Sequence, residues 1–347
     1  MNKPRISIVE FLNTAPLVWG FTDGPLAGRY DLSFTVPSLC AEALRAGQAD
    51  VAIIPAIEYQ RIPGLVALPG MAVAARGEVR SILVVARKPI ELAKRIALDT
   101  SSRSSVALVK LLCRNFWGIS PEFVDAEPDP AAMLASADAA LVIGDPALRI
   151  SVKMELLAAK EPNAESCCGG DPSEHAVPGI ETLYVYDIAH QWREMTGQPC
   201  VLAIWAARRE AVTPELVADF LASKEYGLEH IEDIAEGASL KLEMPVDQLE
   251  RYLRQNIDYS LDAQNLAGLE HYYKLCADAG LIPAARNLEF AEFASGAIAA
   301  GSNAAAASAA SSSAPGSTNV APSAPASSAA VCDAPGSHKV KTQISHF

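Results

Sequence analysis

Three junctions in this 347-residue chain bring polar side chains to the point where an apolar run gives way to a helical pattern. The first is Asn13-Thr14, which follows Arg5-Ile6-Ser7-Ile8-Val9 and precedes Pro16. Proline suits a first helical turn, where its missing N–H would have no partner. An amide, a hydroxyl and the unpaired N–H groups of that turn make a cradle for a small anion. The second junction is Asp99-Thr100-Ser101-Ser102-Arg103-Ser104-Ser105, with five hydroxyls and a guanidinium ahead of Val106, Leu108, Val109, Leu111 and Leu112. A helix cap needs one oxygen acceptor, whereas an anion site needs several donors converging on the positive end of a helix. The third is Gly144-Asp145-Pro146 after Ala139-Ala140-Leu141-Val142-Ile143. An ordinary capped helix accounts for the first and third junctions taken singly. It does not account for the second.

These junctions act together only if the strands feeding them end side by side. The pattern predicts strands at 5–9, 32–36, 49–54, 80–85, 95–98, 122–124 and 139–143, with helices from Pro16, Ser38, Ser102, Pro130 and Pro146. Strands return at 182–186 and 199–205, and from Thr213 to Leu281 the spacing is helical. Leu249, Tyr252, Leu253 and Ile257 read there as packing. Alternation of strand and helix favours α/β architecture with mostly parallel pairing. The expected lobes are 1–87 with 199–293, and 88–198, joined by a strand out and a strand back, with a cleft between them. Ligands in open α/β sheets sit outside the carboxyl ends of strands, where Asn13, Ile54-Pro55, Ser101 to Ser104 and Gly144 all fall.

Several of these segments carry a resemblance. Phe11-Leu12-Asn13-Thr14-Ala15-Pro16, Asp50-Val51-Ala52-Ile53-Ile54-Pro55 with Glu58-Tyr59, and Ala97-Leu98-Asp99-Thr100-Ser101-Ser102-Arg103 are similar to the chorismate dehydratase family of menaquinone biosynthesis. Ala140-Leu141-Val142-Ile143-Gly144-Asp145 and Asn256-Ile257-Asp258-Tyr259 match the same family in order, so the likeness runs from about Arg5 to about Leu281. Two departures stand out. Ala56 occupies a position where the family usually shows serine, and the segment from Glu161 to Glu181, with Cys167-Cys168-Gly169-Gly170, is longer than the family's.

The resemblance implies a two-lobe fold of the periplasmic-binding-protein type II kind. It also implies a dehydration in which chorismate loses its ring hydroxyl as water and becomes 3-[(1-carboxyvinyl)oxy]benzoate. Asn13 and Ser81 are then the expected catalytic groups. Thr14, Ile54, Pro55, Ser101, Ser102, Arg103, Ser104, Gly144 and Asp145 are the expected substrate-binding groups, with Arg103 holding or stabilising its loop. Aromatisation drives the reaction, so positioning and electrostatic stabilisation are the protein's main tasks. The base is a substrate carboxylate or, among protein groups, Glu58 or Asp145; Asp145 also reads as a helix cap. Three other classes share the architecture: a non-catalytic solute-binding protein, a 1,4-dihydroxy-6-naphthoate synthase-like sister enzyme, and a ligand-sensing regulatory domain. The second would be expected to bring a histidine to the cleft, and the motif positions contain none.

Composition narrows the field. Half the residues are hydrophobic, enough for a bilobal core. A formal charge of −13 argues against a nucleic-acid partner, although Arg5, Arg76, Arg80 and Arg103 supply local positive charge. No apolar run approaches the length of a membrane span. Met1-Asn2-Lys3-Pro4-Arg5 leads straight into a strand, so a signal peptide is not expected and a cytoplasmic enzyme is. Of seven cysteines, Cys40, Cys113, Cys200 and Cys276 fall in apolar surroundings and read as reduced core thiols. The histidines are scattered, so no metal and no cofactor is expected. Residues 294–347 form an Ala-, Ser- and Pro-rich tail expected to be disordered. Oligomeric state is not legible in the sequence.

Overall fold

A computed structural model describes residues 3–160, 181–292 and 337–342 of the chain. Two sheets dominate it. The first has strand order β2-β1-β3-β10-β4 and comprises β1 (Arg5–Val9), β2 (Asp31–Thr35), β3 (Val51–Pro55), β4 (Leu65–Ala75) and β10 (Cys200–Arg208). The second, in order β11-β9-β5-β8-β6-β7, comprises β5 (Ile82–Ala86), β6 (Arg95–Asp99), β7 (Glu122–Ala126), β8 (Ala139–Ile143), β9 (Glu181–Asp187) and β11 (Ser337–Thr342). Every residue of β3, β5 and β8 is buried, as continuous apolar runs covered on both faces must be.

Pairing is mixed. β1 runs parallel to β2 and β3, and β6 runs parallel to β7 and β8. The crossing strands run the other way: β10 is antiparallel to β3 and β4, and β5 is antiparallel to β8 and β9. The expectation of mostly parallel sheets therefore holds only for the units flanked by helices. Because β5 bonds to β8 and β9, residues 82–86 belong to the second sheet. β4 was absent from the sequence reading; Pro69-Gly70 sits mid-strand, with Gly70 at φ +74°, and reads as a turn.

Helices α1 (Ala15–Thr22), α2 (Pro37–Arg45) and α3 (Ala56–Arg61) follow the first three strands. In the second half, α4 (Arg103–Asn115), α5 (Pro130–Ser136), α6 (Gly144–Lys160) and α7 (Ile188–Thr196) follow β6, β7, β8 and β9. Then come α8 (Pro214–Glu229), α9 (Ile231–Leu242), α10 (Val246–Arg251) and α11 (Ala263–Asp278). Capping follows ordinary rules at α5, α7, α8 and α11: Asp129, Asp187, Thr213 and Asp262 each accept first-turn N–H groups. α8 lies at backbone contact on α1, since a Cβ at Gly227 would fall 2.0 Å from the Pro16 carbonyl oxygen.

The main hydrophobic core is continuous through both sheets, and a smaller one lies under α5 and α6, around Leu83, Val85, Met133, Leu134 and Ile150. Cys40, Cys113, Cys200 and Cys276 are buried and free, as expected, and burial pushes the Cys40 thiol up to about 11. The Cys167-Cys168 loop lies outside the described residues, as does most of the tail. The end of the tail departs from its expected disorder: β11 pairs antiparallel with β9, Ser337 opposite Tyr186 and Thr342 opposite Glu181.

Candidate functional site

The carboxyl ends of β1, β3, β6 and β8 form a closed frame. Within the first sheet β1 and β3 are neighbours; within the second β6 and β8 are. Three hydrogen bonds and one close approach join the pairs. Leu12 N donates to Asp145 Oδ1 at 3.0 Å, and Ile57 N donates to Ser104 Oγ at 3.2 Å. Ser38 N, after β2, donates to the Ser101 carbonyl at 2.8 Å. The Phe11 ring lies so near Gly144 that a Cβ there would meet its carbons at 2.6–2.7 Å, and Gly144 has φ +67°, a conformation glycine adopts without strain. The junctions bearing Asn13, Ile54-Pro55, Ser101 to Ser104 and Gly144-Asp145 thus face one another, as their shared strand-end position predicts.

A directed polar chain occupies one side of this frame. Thr14 Oγ1 donates to Asn13 Oδ1 at 3.2 Å. Tyr252 Oη donates to Ser81 Oγ at 2.8 Å, and the Asn13 side chain lies near enough to the phenol to favour its ionised form. The Ser81 carbonyl accepts from Gly144 N at 2.8 Å, which ties the chain to the end of β8. Thr14, Ser81 and Tyr252 are each 1% exposed. Burial pushes the Tyr252 phenol far above its ordinary range, while Ser81 and Asn13 act in the opposite direction. Neither Thr14 nor Ser102 caps its own helix: the Thr14 hydroxyl serves Asn13, and Ser102 Oγ accepts from Ser105 Oγ at 3.0 Å. The capping account of the first junction therefore fails.

Two buried donors beside this chain have no partner among the described residues, the Tyr259 hydroxyl and Arg80 Nη1. Arg80 is otherwise held by Ser151 at 3.2 Å, Glu155 at 3.1 Å and Gln248 at 3.3 Å. Its backbone takes the left-handed φ of +63°, unusual for a side chain of this size, one residue before Ser81. Asp187 secures that turn by accepting from Arg80 N at 2.6 Å and Val79 N at 3.2 Å.

The second side of the frame is charged and braced. Glu58 is wholly buried and receives Arg45, Arg61 at 2.9 Å and Arg103 at 2.9 Å; Arg103 also pairs with Glu42 at 2.6 Å. Arg103 thus stabilises its loop. Ser101 is held by the buried Asp99, which accepts from its N at 2.9 Å and its Oγ at 2.6 Å. Ser104 is buried with its hydroxyl engaged by Ile57, and Ile54 is fully buried in the core. Asp145 corrects its expected role: it caps across to Leu12 and not its own helix, and burial raises its carboxyl above the usual range. Of the other arginines, Arg5 pairs with Asp50 at the opposite ends of β1 and β3, and Arg76 pairs with Asp258 and Asp262.

Sequence reasoning missed Tyr252 as a site residue. Its spacing among Leu249, Leu253 and Ile257 is that of a packing face. Tyr259 was visible within Asn256-Ile257-Asp258-Tyr259 but carried no assigned role. Among the described residues no group of three or more His, Cys, Asp or Glu side chains could hold a metal ion, and no helix is long and apolar enough to cross a membrane.

A family model described as menaquinone biosynthesis matches residues 4–278. The chain is 29% identical over 242 residues to the chorismate dehydratase of Thermus thermophilus, covering 68% of this chain and 83% of that protein. A solved protein of Archaeoglobus fulgidus superposes with a TM-score of 0.61 at 19% identity, covering 81% of this chain and 98% of that one. A Candida albicans protein described as having the generic periplasmic binding protein fold gives 0.54 at 11% identity, covering 85% and 98%. These structural likenesses show the expected two-lobe α/β fold.

Proposed function

The chain belongs to the menaquinone-biosynthesis family, and from that premise we propose that it is a lyase that dehydrates chorismate to 3-[(1-carboxyvinyl)oxy]benzoate. The observation that carries this reading is the buried Tyr252–Ser81 hydrogen bond, with Asn13 beside it, at the meeting point of four strand ends. A frame carrying hydroxyl, amide and backbone N–H donors suits a substrate with two carboxylates and one departing hydroxyl.

Chorismate carries its ring hydroxyl on the carbon next to the one bearing the enolpyruvyl ether and a hydrogen. Removing that hydrogen and the hydroxyl completes an aromatic ring, so the protein has to orient the substrate and stabilise charge as it develops. Donors facing a preformed, water-poor site act without reorganising when the bond breaks. We assign Asn13 and Ser81 to the reacting ring, and the α4 amino end with Ser101 and Ser102 to a carboxylate. Thr14, Arg103, Ser104 and Asp145 brace the frame. The unpartnered Tyr259 hydroxyl and Arg80 Nη1 are further donors toward the substrate.

Neither protein candidate for the base is free. Glu58 lies behind three guanidinium groups, and Asp145 accepts the Leu12 N–H. Both facts support a substrate carboxylate, folded over the ring, as the group that takes the proton. The reading needs no cofactor and places the enzyme in the cytoplasm, where chorismate is made and used.

Incubating the purified protein with chorismate and following the product by mass spectrometry tests this. Aromatic product at chorismate minus water is expected, with turnover lowered about 100-fold or more in Asn13→Ala. Binding without product would identify a solute-binding protein of the same fold.

A further inference from the structure

We propose that Tyr252 is a positioning residue that fixes the Ser81 hydroxyl as a hydrogen-bond donor to the departing ring oxygen. The inference rests on the dehydratase reading and deepens it. It follows from the sense of the polar chain. Thr14 donates to the oxygen of the Asn13 amide, and that side chain neighbours the Tyr252 phenol. Tyr252 donates to Ser81 Oγ at 2.8 Å. Ser81 Oγ thereby receives a hydrogen bond, and its single proton has no other side-chain acceptor among the described residues. That proton is free for the frame enclosed by the strand ends. Each donor in such a series polarises the next, most strongly where water is excluded.

The backbone aims the phenol in a way packing alone would not require. Tyr252 is the first residue of a five-residue π-turn, Tyr252–Asn256, that follows directly on α10. Wider turns of this kind rotate side chains off the regular helical face and are frequent at functional sites. The hydroxyl consequently reaches a residue 171 positions away in sequence.

Proton balance needs nothing from the chain. The ring C–H bond breaks and its proton passes to the substrate carboxylate. The ring C–O bond breaks, the electron pair leaves with the oxygen, and that same proton completes the water. Ser81 hydrogen-bonds the oxygen as negative charge gathers on it. A phenol kept neutral by burial can support this donor without ionising.

The test compares wild type, Tyr252→Phe, Ser81→Ala and the double variant for kcat, KM and thermal unfolding. Tyr252→Phe should lower kcat about 10- to 100-fold with KM within about threefold of wild type. Ser81→Ala should behave alike, and the double variant should be no slower than the slower single, because both break one chain. Single effects that multiply in the double variant, or wild-type kcat in folded Tyr252→Phe, would overturn the proposal. Should Tyr252→Phe not fold, Ser81→Ala decides: kcat lost with KM kept supports the donor role, and unchanged kcat removes it. A wild-type protein inert toward chorismate overturns the function reading and this inference with it. An active wild type with an unaffected Tyr252→Phe overturns this inference alone.

Discussion

Glu58 shows how a carboxylate in a functional neighbourhood can be structural. Its side chain is completely buried and faces Arg45, Arg61 and Arg103, which are themselves about one-third exposed. Removing the charge leaves Arg45 and Arg103 sharing Glu42 and Arg61 with no carboxylate among the described residues, so Glu58→Gln should cost about 2–4 kcal/mol of stability in denaturant unfolding. Turnover per folded molecule should stay within about threefold of wild type. A folded, inactive Glu58→Gln would restore Glu58 as the base. At this scale the sequence was legible where polar residues interrupt an apolar run, as at Asn13 and Ser101 to Ser104. It was not legible at Tyr252, because one hydroxyl on a packing residue leaves no trace in spacing. Nor did it show that Asp145 spends its carboxylate on Leu12.

Among elements, the crossing from β4 to β5 carries the most consequence. It holds Ser81 next to the strained Arg80, and the strain is offset by Asp187, which also caps α7 through Ala189 N and His190 N. Burial pushes Asp187 up to about 6 from its ordinary 3.8, against the pull of its N–H donors, with Glu78 and Cys200 in its field. Between those two values the native chain holds a proton that the unfolded chain releases. This group's contribution to stability is therefore fullest below the window and declines as pH rises through it. Activity should follow the opposite course. Protonation weakens the grip on Arg80 N, so kcat should fall as pH drops through about 6, and this limb should be absent from Asp187→Asn. Matching pH–rate profiles for the two proteins would rule the role out. β3 and β8 were readable because each is a buried apolar run ending in a turn signal. The direction of β5 and β10 was not, since antiparallel crossing leaves residue types unchanged. β4 was hidden by Pro69-Gly70.

For the whole molecule, two sheets and the long low-complexity tail were evident from composition and alternation, and the two-lobe plan followed from the strand out and the strand back. The lobe division itself is our proposal, with the first crossing set before β5. It predicts that a chain ending at residue 198 will show amide protection from hydrogen exchange in β6 and β8 but little in β1 and β3. Equal protection in both sets would mean the first sheet is stable without β10. The sequence did not reveal β11, because six residues at the end of a Ser- and Ala-rich stretch carry no pattern longer than a single strand.

The seat of β10 between β3 and β4 has a temporal consequence. A ribosome delivers β3 and β4 early, yet the strand that joins them edge to edge arrives only after the whole second lobe has been made. At typical elongation rates that interval is about ten seconds. During it the nascent chain carries two apolar strand edges with nothing to zip them, while β5 to β9 already pair with one another and wait only for β11 at the β9 edge. Chaperone occupancy on ribosomes should therefore be greatest on this chain before residue 208 emerges, and it should fall once the missing middle strand slots in.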